Sequence, residues 1–263
     1  MITDISNTNR NGSLIAKRMS MQKLNDRFPE KCAFITGAGS GLGASFARIL
    51  MENNWKLFLS DIDSSSLDVY KDSPNVHCYA LDVSDRPAYE NVVEQVSQAT
   101  EHMDVVINNA GIGVRAPLVD HAPADFERLI RVNLVGPFLA MQVAMPLMQD
   151  QGGGHIINTL SRAGEAGGKG FGAYGASKAG LYTLMRTAAR EMLGTGVRIN
   201  GLIPGPTRSG MNPKAPQDPA DVYPTARWMV ETGAGDQTGR VFWNQQEYLM
   251  FDEGNVTFKR EIA

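Results

Sequence analysis

From residue 31 onward the chain alternates between two rhythms. Short, nearly continuous apolar runs recur at CAFIT (32–36), KLFLSD (56–61), VHCYALDV (76–83), DVVINNAG (104–111), HIINTLS (155–161) and VRINGLIPG (197–205). Between them, apolar residues return every three or four positions. These stretches are GLGASFARILMENN (41–54), the short SSSLDVYKD (64–72), PAYENVVEQVSQAT (87–100), ADFERLIRVNLVGPFLAMQVAMPLMQD (124–150) and YGASKAGLYTLMRTAAREM (174–192). Apolar runs predict strands covered on both faces, and the 3.6-residue period predicts helices. Their strict alternation predicts a parallel sheet with right-handed crossovers, a doubly wound α/β fold in one domain over residues 30–263. Pro146 predicts a kink in the longest helix. Residues 1–29, rich in Asn, Ser and Arg and ending in Phe28-Pro29, read as a flexible or loosely docked extension.

Composition narrows the partners. Of 263 residues, 43% are hydrophobic and 20% charged, and the formal net charge is -3, which gives no electrostatic case for nucleic acid or an anionic membrane. The two cysteines, Cys32 and Cys78, fall in predicted strands and read as buried thiols. The four histidines have no ligand spacing with each other or with the cysteines, so no structural metal is expected. The N-terminus lacks an apolar signal core. The most apolar stretch, VNLVGPFLAMQVAMPLM, is interrupted by Asn133, Gln142 and two prolines and reads as too short to span a bilayer. A cytoplasmic protein is the expectation.

The chemistry clusters at strand ends. The first strand runs into TGAGSGLG (36–43) and then a helix, where Gly37, Gly41 and Gly43 allow a tight turn, and the helix N-terminus offers N–H groups and positive dipole to a pyrophosphate. A merely tight loop is the competing reading. Asp61 ends the second strand 18 positions after Gly43, where a carboxylate accepts hydrogen bonds from ribose hydroxyls and repels a 2′-phosphate; capping the next helix is its plainer role. Asp82-Val83 sits at the same edge, facing either an adenine or a helix N-cap. In NNAG (108–111), the asparagines can tie strands together and leave room for a ribose. Tyr174 and Lys178, four apart among glycines and alanines, share one helix face, and the small neighbours read as leaving room for a ligand; an ordinary helix start with a snorkelling lysine is the plainer reading.

Taken in order, TGxxxGxG, Asp61, NNAG, YGASK and PGPT (204–207) resemble the short-chain dehydrogenase/reductase family, firmly over residues 31 to about 210 and loosely beyond. The resemblance implies a Rossmann-type sheet of about seven strands, a nicotinamide dinucleotide held at Gly37, Ser40, Gly41, Leu42, Gly43, Asp61, Asp82, Val83, Asn109, Ala110, Gly111, Pro204, Gly205 and Thr207, and a homodimer or homotetramer packed through helices 125–149 and 174–193. It implies Tyr174 as acid/base, Lys178 as ribose anchor and modifier of the tyrosine pKa, Ser161 as the group holding the substrate oxygen, and Asn133 as holder of a water in the proton relay. Asp61, with no Arg or Lys in the glycine turn or at the next two positions, favours NAD over NADP. The function implied is interconversion of a secondary alcohol and a carbonyl, with an NADPH-dependent ketoreductase and a catalytically retired sensor as alternatives. A lid over about 207–226 is implied, here stiffened by four prolines in SGMNPKAPQDPADVYP. Where the family has a serine pair this chain has Leu160-Ser161, followed by Arg162, while Arg208 follows Thr207. Those two arginines read either as receivers of an anionic substrate or as solvent-facing.

Overall fold

A computed structural model describes residue 28, residues 30–231 and residues 237–252. Its eight strands form one sheet in the order β3-β2-β1-β4-β5-β6-β7-β8. They are β1 (Cys32–Thr36), β2 (Lys56–Asp61), β3 (Val76–Ala80), β4 (Val105–Asn108), β5 (Gly154–Thr159), β6 (Val197–Leu202), β7 (Val241–Trp243) and β8 (Gln246–Glu247). All pairings through β7 are parallel; β7 and β8 pair antiparallel. The chain winds outward from β1 to β3 and returns to the other side of β1 at β4. In an open parallel sheet that reversal opens a crevice beyond the strands' carboxyl ends.

The helices are α1 (Gly41–Glu52), α2 (Arg86–Ala99), α3 (Pro123–Ile130), α4 (Gly136–Asp150), the short α5 (Ala163–Ala166), α6 (Gly172–Glu191) and α7 (Tyr223–Glu231). Alternation along each strand divides the core into two. Phe34, Val106, Ile156 and Ile199 face α2, α4 and α6, meeting Val92, Met148 and Met185. Ile35, Leu57, Leu59 and Ile107 face α1 and α7, meeting Phe46, Leu50 and Met229. Each such side chain contributes about 1.5–3 kcal/mol on burial, so this two-sided sheet is the dominant stabilising feature.

Four local expectations change. The Ser-rich segment folds as a 3-10 helix, Ser64–Tyr70, because Asp63 accepts from the Ser65 amide at 3.1 Å and tightens the entry. The helical run Pro123–Asp150 departs from α geometry at a π turn, Arg131–Val135, whereas Pro146 lies within α4. That run is, by length and composition, apolar enough to cross a membrane (28 residues, hydropathy 1.3), longer than the sequence suggested; 44% of its apolar window is buried within the protein. The eighth strand arises because Asn244 and Gln245 both adopt positive φ (49° and 61°), closing a two-residue hairpin after β7.

Phe28 is 1% exposed, packed on Trp55 at 6.0 Å between rings, with the Arg198 guanidinium 5.7 Å from its ring. It therefore belongs to the folded body, although the sequence placed it in the extension; residues 1–27 and Pro29 lie outside the described residues.

Candidate active site

The carboxyl ends of β1, β2, β4, β5 and β6 open onto a cleft of about 1170 Å³. The glycine turn forms its floor. Gly37 (φ 65°) and Gly41 (φ 53°) occupy the left-handed region that favours glycine. At Gly43 the constraint is space: a Cβ would stand 2.1 Å from the Gly37 carbonyl oxygen and 2.6 Å from Asn109 Nδ2. Ser40 caps α1 in extended conformation without a side-chain cap bond, and the first turn of α1 holds no acidic residue. The positive end of α1 is thus left for an outside anion. A pyrophosphate fits this cradle.

Asn109 ties the turn down. Its Nδ2 donates to the carbonyls of Thr36 and Gly37, both at 3.1 Å, while Thr36 Oγ1 accepts from the amides of Asn109 and Ala110 at 3.1 Å. Asn108 reaches sideways to Asn158 at 2.9 Å, joining β4 to β5. The two asparagines of NNAG therefore divide strand-tying and turn-holding between them. Asp61 accepts from the Gly39 amide at 2.9 Å and the Asp63 amide at 3.2 Å, fixing its carboxylate at the rim rather than capping a helix. Asp82 binds the amide and hydroxyl of Ser84 at 2.9 and 2.8 Å; the N-cap of α2 is Asp85, whose side chain accepts from Ala88.

The opposite wall carries the candidates for proton chemistry. Ser161 lies just past β5, and its Oγ accepts from the Ala163 amide at 3.2 Å. Tyr174 and Lys178 stand on the first turns of α6, with Lys178 Nζ 5.7 Å from the Tyr174 ring. Lys178 is 4% exposed and donates to the Thr159 carbonyl at 2.7 Å. Burial lowers its pKa to about 8. Burial raises the Tyr174 phenol above its ordinary value, opposed by a hydrogen bond with Ser161. In the protein alone, then, desolvation outweighs the downward pull expected from the neighbouring ammonium.

The small residues around Tyr174 serve packing more than ligand space. A Cβ on Gly175 would stand 2.7 Å from the Ala163 carbonyl oxygen, and one on Gly180 would stand 3.0 Å from Leu134. Asn133, 0% exposed within the π turn, pairs with the Ile112 backbone in both directions at 2.9 Å and donates to Ser177 at 3.3 Å. Both amide protons are spent, so a water held here binds through the side-chain oxygen or the main chain.

Past β6, Gly205 (φ 79°) turns the chain, and Thr207 Oγ1 donates to the Pro204 carbonyl at 3.1 Å. The segment after it is pinned by the Thr207–Gln217 bridge, by Arg208 N to Gln217 O at 2.8 Å and by the Arg208–Asp218 ion pair at 2.5 Å. Every sequence-predicted site residue except Gly43 and Asn133 lines the cleft, and these two stand behind it as supports. Sequence reasoning missed Gly39, whose Cβ would meet Ser66 and Asp61, and the wall residues Arg115, Phe171 and Trp243.

Because burial holds Lys178 well below 10.5, the unfolded chain binds the extra proton between about pH 8 and 10.5. The resulting penalty, on the order of 3 kcal/mol, is fully present below pH 8 and fades as pH rises. The melting-temperature advantage of Lys178→Met over the native chain is expected to shrink from pH 8 to pH 10, and a constant difference across that range would contradict the burial account.

The chain belongs to the short-chain dehydrogenase family: the family model for short chain dehydrogenase matches residues 31–220. It is 36% identical over 196 residues to 3-oxoacyl-(acyl-carrier-protein) reductase FabG of Thermotoga maritima, covering 73% of this chain and 80% of that protein. It is 32% identical over 197 residues to 2-dehydro-3-deoxy-L-rhamnonate dehydrogenase (NAD(+)) of a Sphingomonas species, covering 74% and 79%. The fold matches the crystal structure of 3-ketoacyl-(acyl-carrier-protein) reductase from Brucella melitensis complexed with NADH, with TM-score 0.76, 22% identity, and coverage of 80% and 95%. The protein is thus an NAD(P)-dependent oxidoreductase of this family.

Proposed function

We propose that the protein interconverts a secondary alcohol and a carbonyl compound using NAD(H). The observation that carries this reading is the convergence of Ser161, Tyr174 and Lys178 on one cleft whose other end is the glycine turn and Asp61. The residues that would hold the dinucleotide are Gly37, Ser40, Gly41 and Leu42 at the pyrophosphate, Asp61 at the adenosine ribose, Asp82 and Val83 at the adenine, and Asn109, Ala110, Gly111, Lys178, Pro204, Gly205 and Thr207 toward the nicotinamide end. Bound there, the nicotinamide ring supplies the hydride donor or acceptor.

The rest is the chain's own work. Ser161 donates to the substrate oxygen and fixes it beside Tyr174. Tyr174 gives its phenolic proton to that oxygen in the reductive direction and takes it back in the oxidative one. Lys178, held by Thr159, keeps positive charge one helical turn away, which favours the phenolate that forms. Asn133 fixes the Ile112 segment of the wall.

The preference for NAD rests on Asp61, which offers a fixed negative charge where a 2′-phosphate would sit. Asp61→Asn keeps the side-chain shape and removes that charge. It is expected to narrow the gap between NADH and NADPH affinity by about tenfold, read by fluorescence titration of both reduced cofactors. Tighter NADPH than NADH binding by the unaltered protein would instead support the ketoreductase alternative.

A further inference from the structure

Five arginines line the cleft, and they are not equivalent. Arg208 is held by Asp218, and elsewhere Arg240 and Arg86 are held by Glu247 and Glu90. Arg162 is bound differently. Its guanidinium lies 5.1 Å over Trp243 and 5.9 Å over Tyr248, and its Nε donates to the Tyr248 hydroxyl at 3.2 Å. Among the described residues no carboxylate forms an ion pair with it. The nearest acid in this network, Glu165, accepts from the Tyr248 hydroxyl and, at 2.7 Å, from the Phe251 amide. One face and one N–H of Arg162 are therefore used, and the remaining four donors have no protein partner among the described residues.

Arg115 repeats the arrangement over Phe171. Its guanidinium lies 5.1 Å over the Phe171 ring, and that ring meets Tyr174 edge-on at 6.3 Å. Among the described residues Arg115 has neither an ion pair nor a side-chain hydrogen bond. The acidic residues lining the cleft belong to other segments, Asp61 ending β2, Asp82 following β3 and Glu127 on α3. Two guanidinium groups of the cleft lining are thus shelved on aromatic rings without an ion pair among the described residues. Such a shelf limits the rotamers of a long side chain and presents a planar fork, the geometry that receives a carboxylate through paired hydrogen bonds.

We propose that the substrate is a carbonyl or hydroxy compound bearing a carboxylate, and that Arg162 and Arg115 receive that carboxylate while its carbonyl or hydroxyl oxygen sits at Ser161 and Tyr174; this rests on the oxidoreductase reading. Arg162 and Arg115 are specificity-determining residues. The reaction that supplies or consumes this compound is therefore one that makes or uses a keto or hydroxy acid.

The test has two arms. In the first, turnover of 2-, 3- and 4-oxopentanoate with NADH is compared with that of their methyl esters. The best acid is expected to exceed its ester by tenfold or more in kcat/KM. Arg162→Ala and Arg115→Ala are each expected to lower that acid-to-ester ratio by about tenfold through KM, with Arg162→Lys recovering only part of it. A role for Arg162 confined to holding Tyr248 would lower acid and ester turnover together and leave the ratio intact, which overturns the proposal. Arg115 makes no side-chain hydrogen bond among the described residues, so its variant tests the idea without disturbing the fold.

In the second arm, calorimetry of pentanoate and pentanamide binding to the protein–NADH complex reads recognition without chemistry. Tighter binding of pentanoate, lost in both alanine variants, supports the proposal even if no oxopentanoate turns over. Equal binding of the two probes, or variants indistinguishable from the native protein, overturns it. Reduction of the esters that depends on Tyr174 would then leave the oxidoreductase reading standing, so the two failures are distinguishable.

Discussion

Tyr174→Phe is expected to lower kcat by about 10²–10⁴-fold while changing NADH affinity little. The substitution deletes one oxygen and keeps the ring, so the edge contact with Phe171 survives. What disappears is the hydrogen bond with Ser161 and the phenol placed at the cleft beside Lys178. Steady-state rates followed by nicotinamide absorbance, with NADH binding followed by fluorescence, separate the two effects. A variant that turns over as fast as the native protein would remove Tyr174 from the chemistry and return the site to a binding role.

The second large effect is expected at Gly43, where Gly43→Ala places a methyl 2.1 Å from the Gly37 carbonyl oxygen and 2.6 Å from Asn109 Nδ2. Neither neighbour is the free end of a flexible chain. One is backbone, and the other is held by two hydrogen bonds across to β1. The turn must move, and it is the turn that forms the pyrophosphate cradle. A loss of about 1–3 kcal/mol in stability is expected, together with at least a tenfold rise in the NADH dissociation constant. Gly168→Ala is the control, because its Cβ would meet only Phe171, at 3.4 Å, and its backbone conformation is open to any residue. Denaturant melts and NADH titrations on both variants decide, and equal behaviour would show that Gly43 is not spatially constrained.

Much of this molecule was legible because its sequence signals are local. Strands buried on both faces read as apolar runs, and the glycine turn, NNAG and the Tyr174/Lys178 pair each announce themselves within a few residues. What escaped depends on partners distant in sequence. Nothing near Arg208 says that Asp218 will neutralise it. Gly175 reads as room for a ligand until the Ala163 carbonyl is seen beside it. The π turn at Arg131–Val135 keeps helical periodicity almost intact, so no pattern of apolar residues marks it. Phe28 follows a polar stretch and precedes a proline, yet Trp55 and Arg198 draw it into the core. The last hairpin hides for another reason: positive φ at Asn244 and Gln245 is an option those residues have, not one they advertise.

Trp243 and Tyr248 lie beyond residue 220, where the family match ends, yet they form the shelf on which Arg162 rests. Glu165 stitches that shelf back to the segment after β5 through the Tyr248 hydroxyl and the Phe251 amide. The glycine turn, Ser161, Tyr174 and Lys178 lie within 31–220, as does Arg162 itself, whereas the aromatic rings beneath Arg162 come from the late hairpin and the residue after it. Replacing Trp243 or Tyr248 is therefore expected to loosen the setting of Arg162 while leaving the Lys178–Thr159 contact and the glycine turn in place.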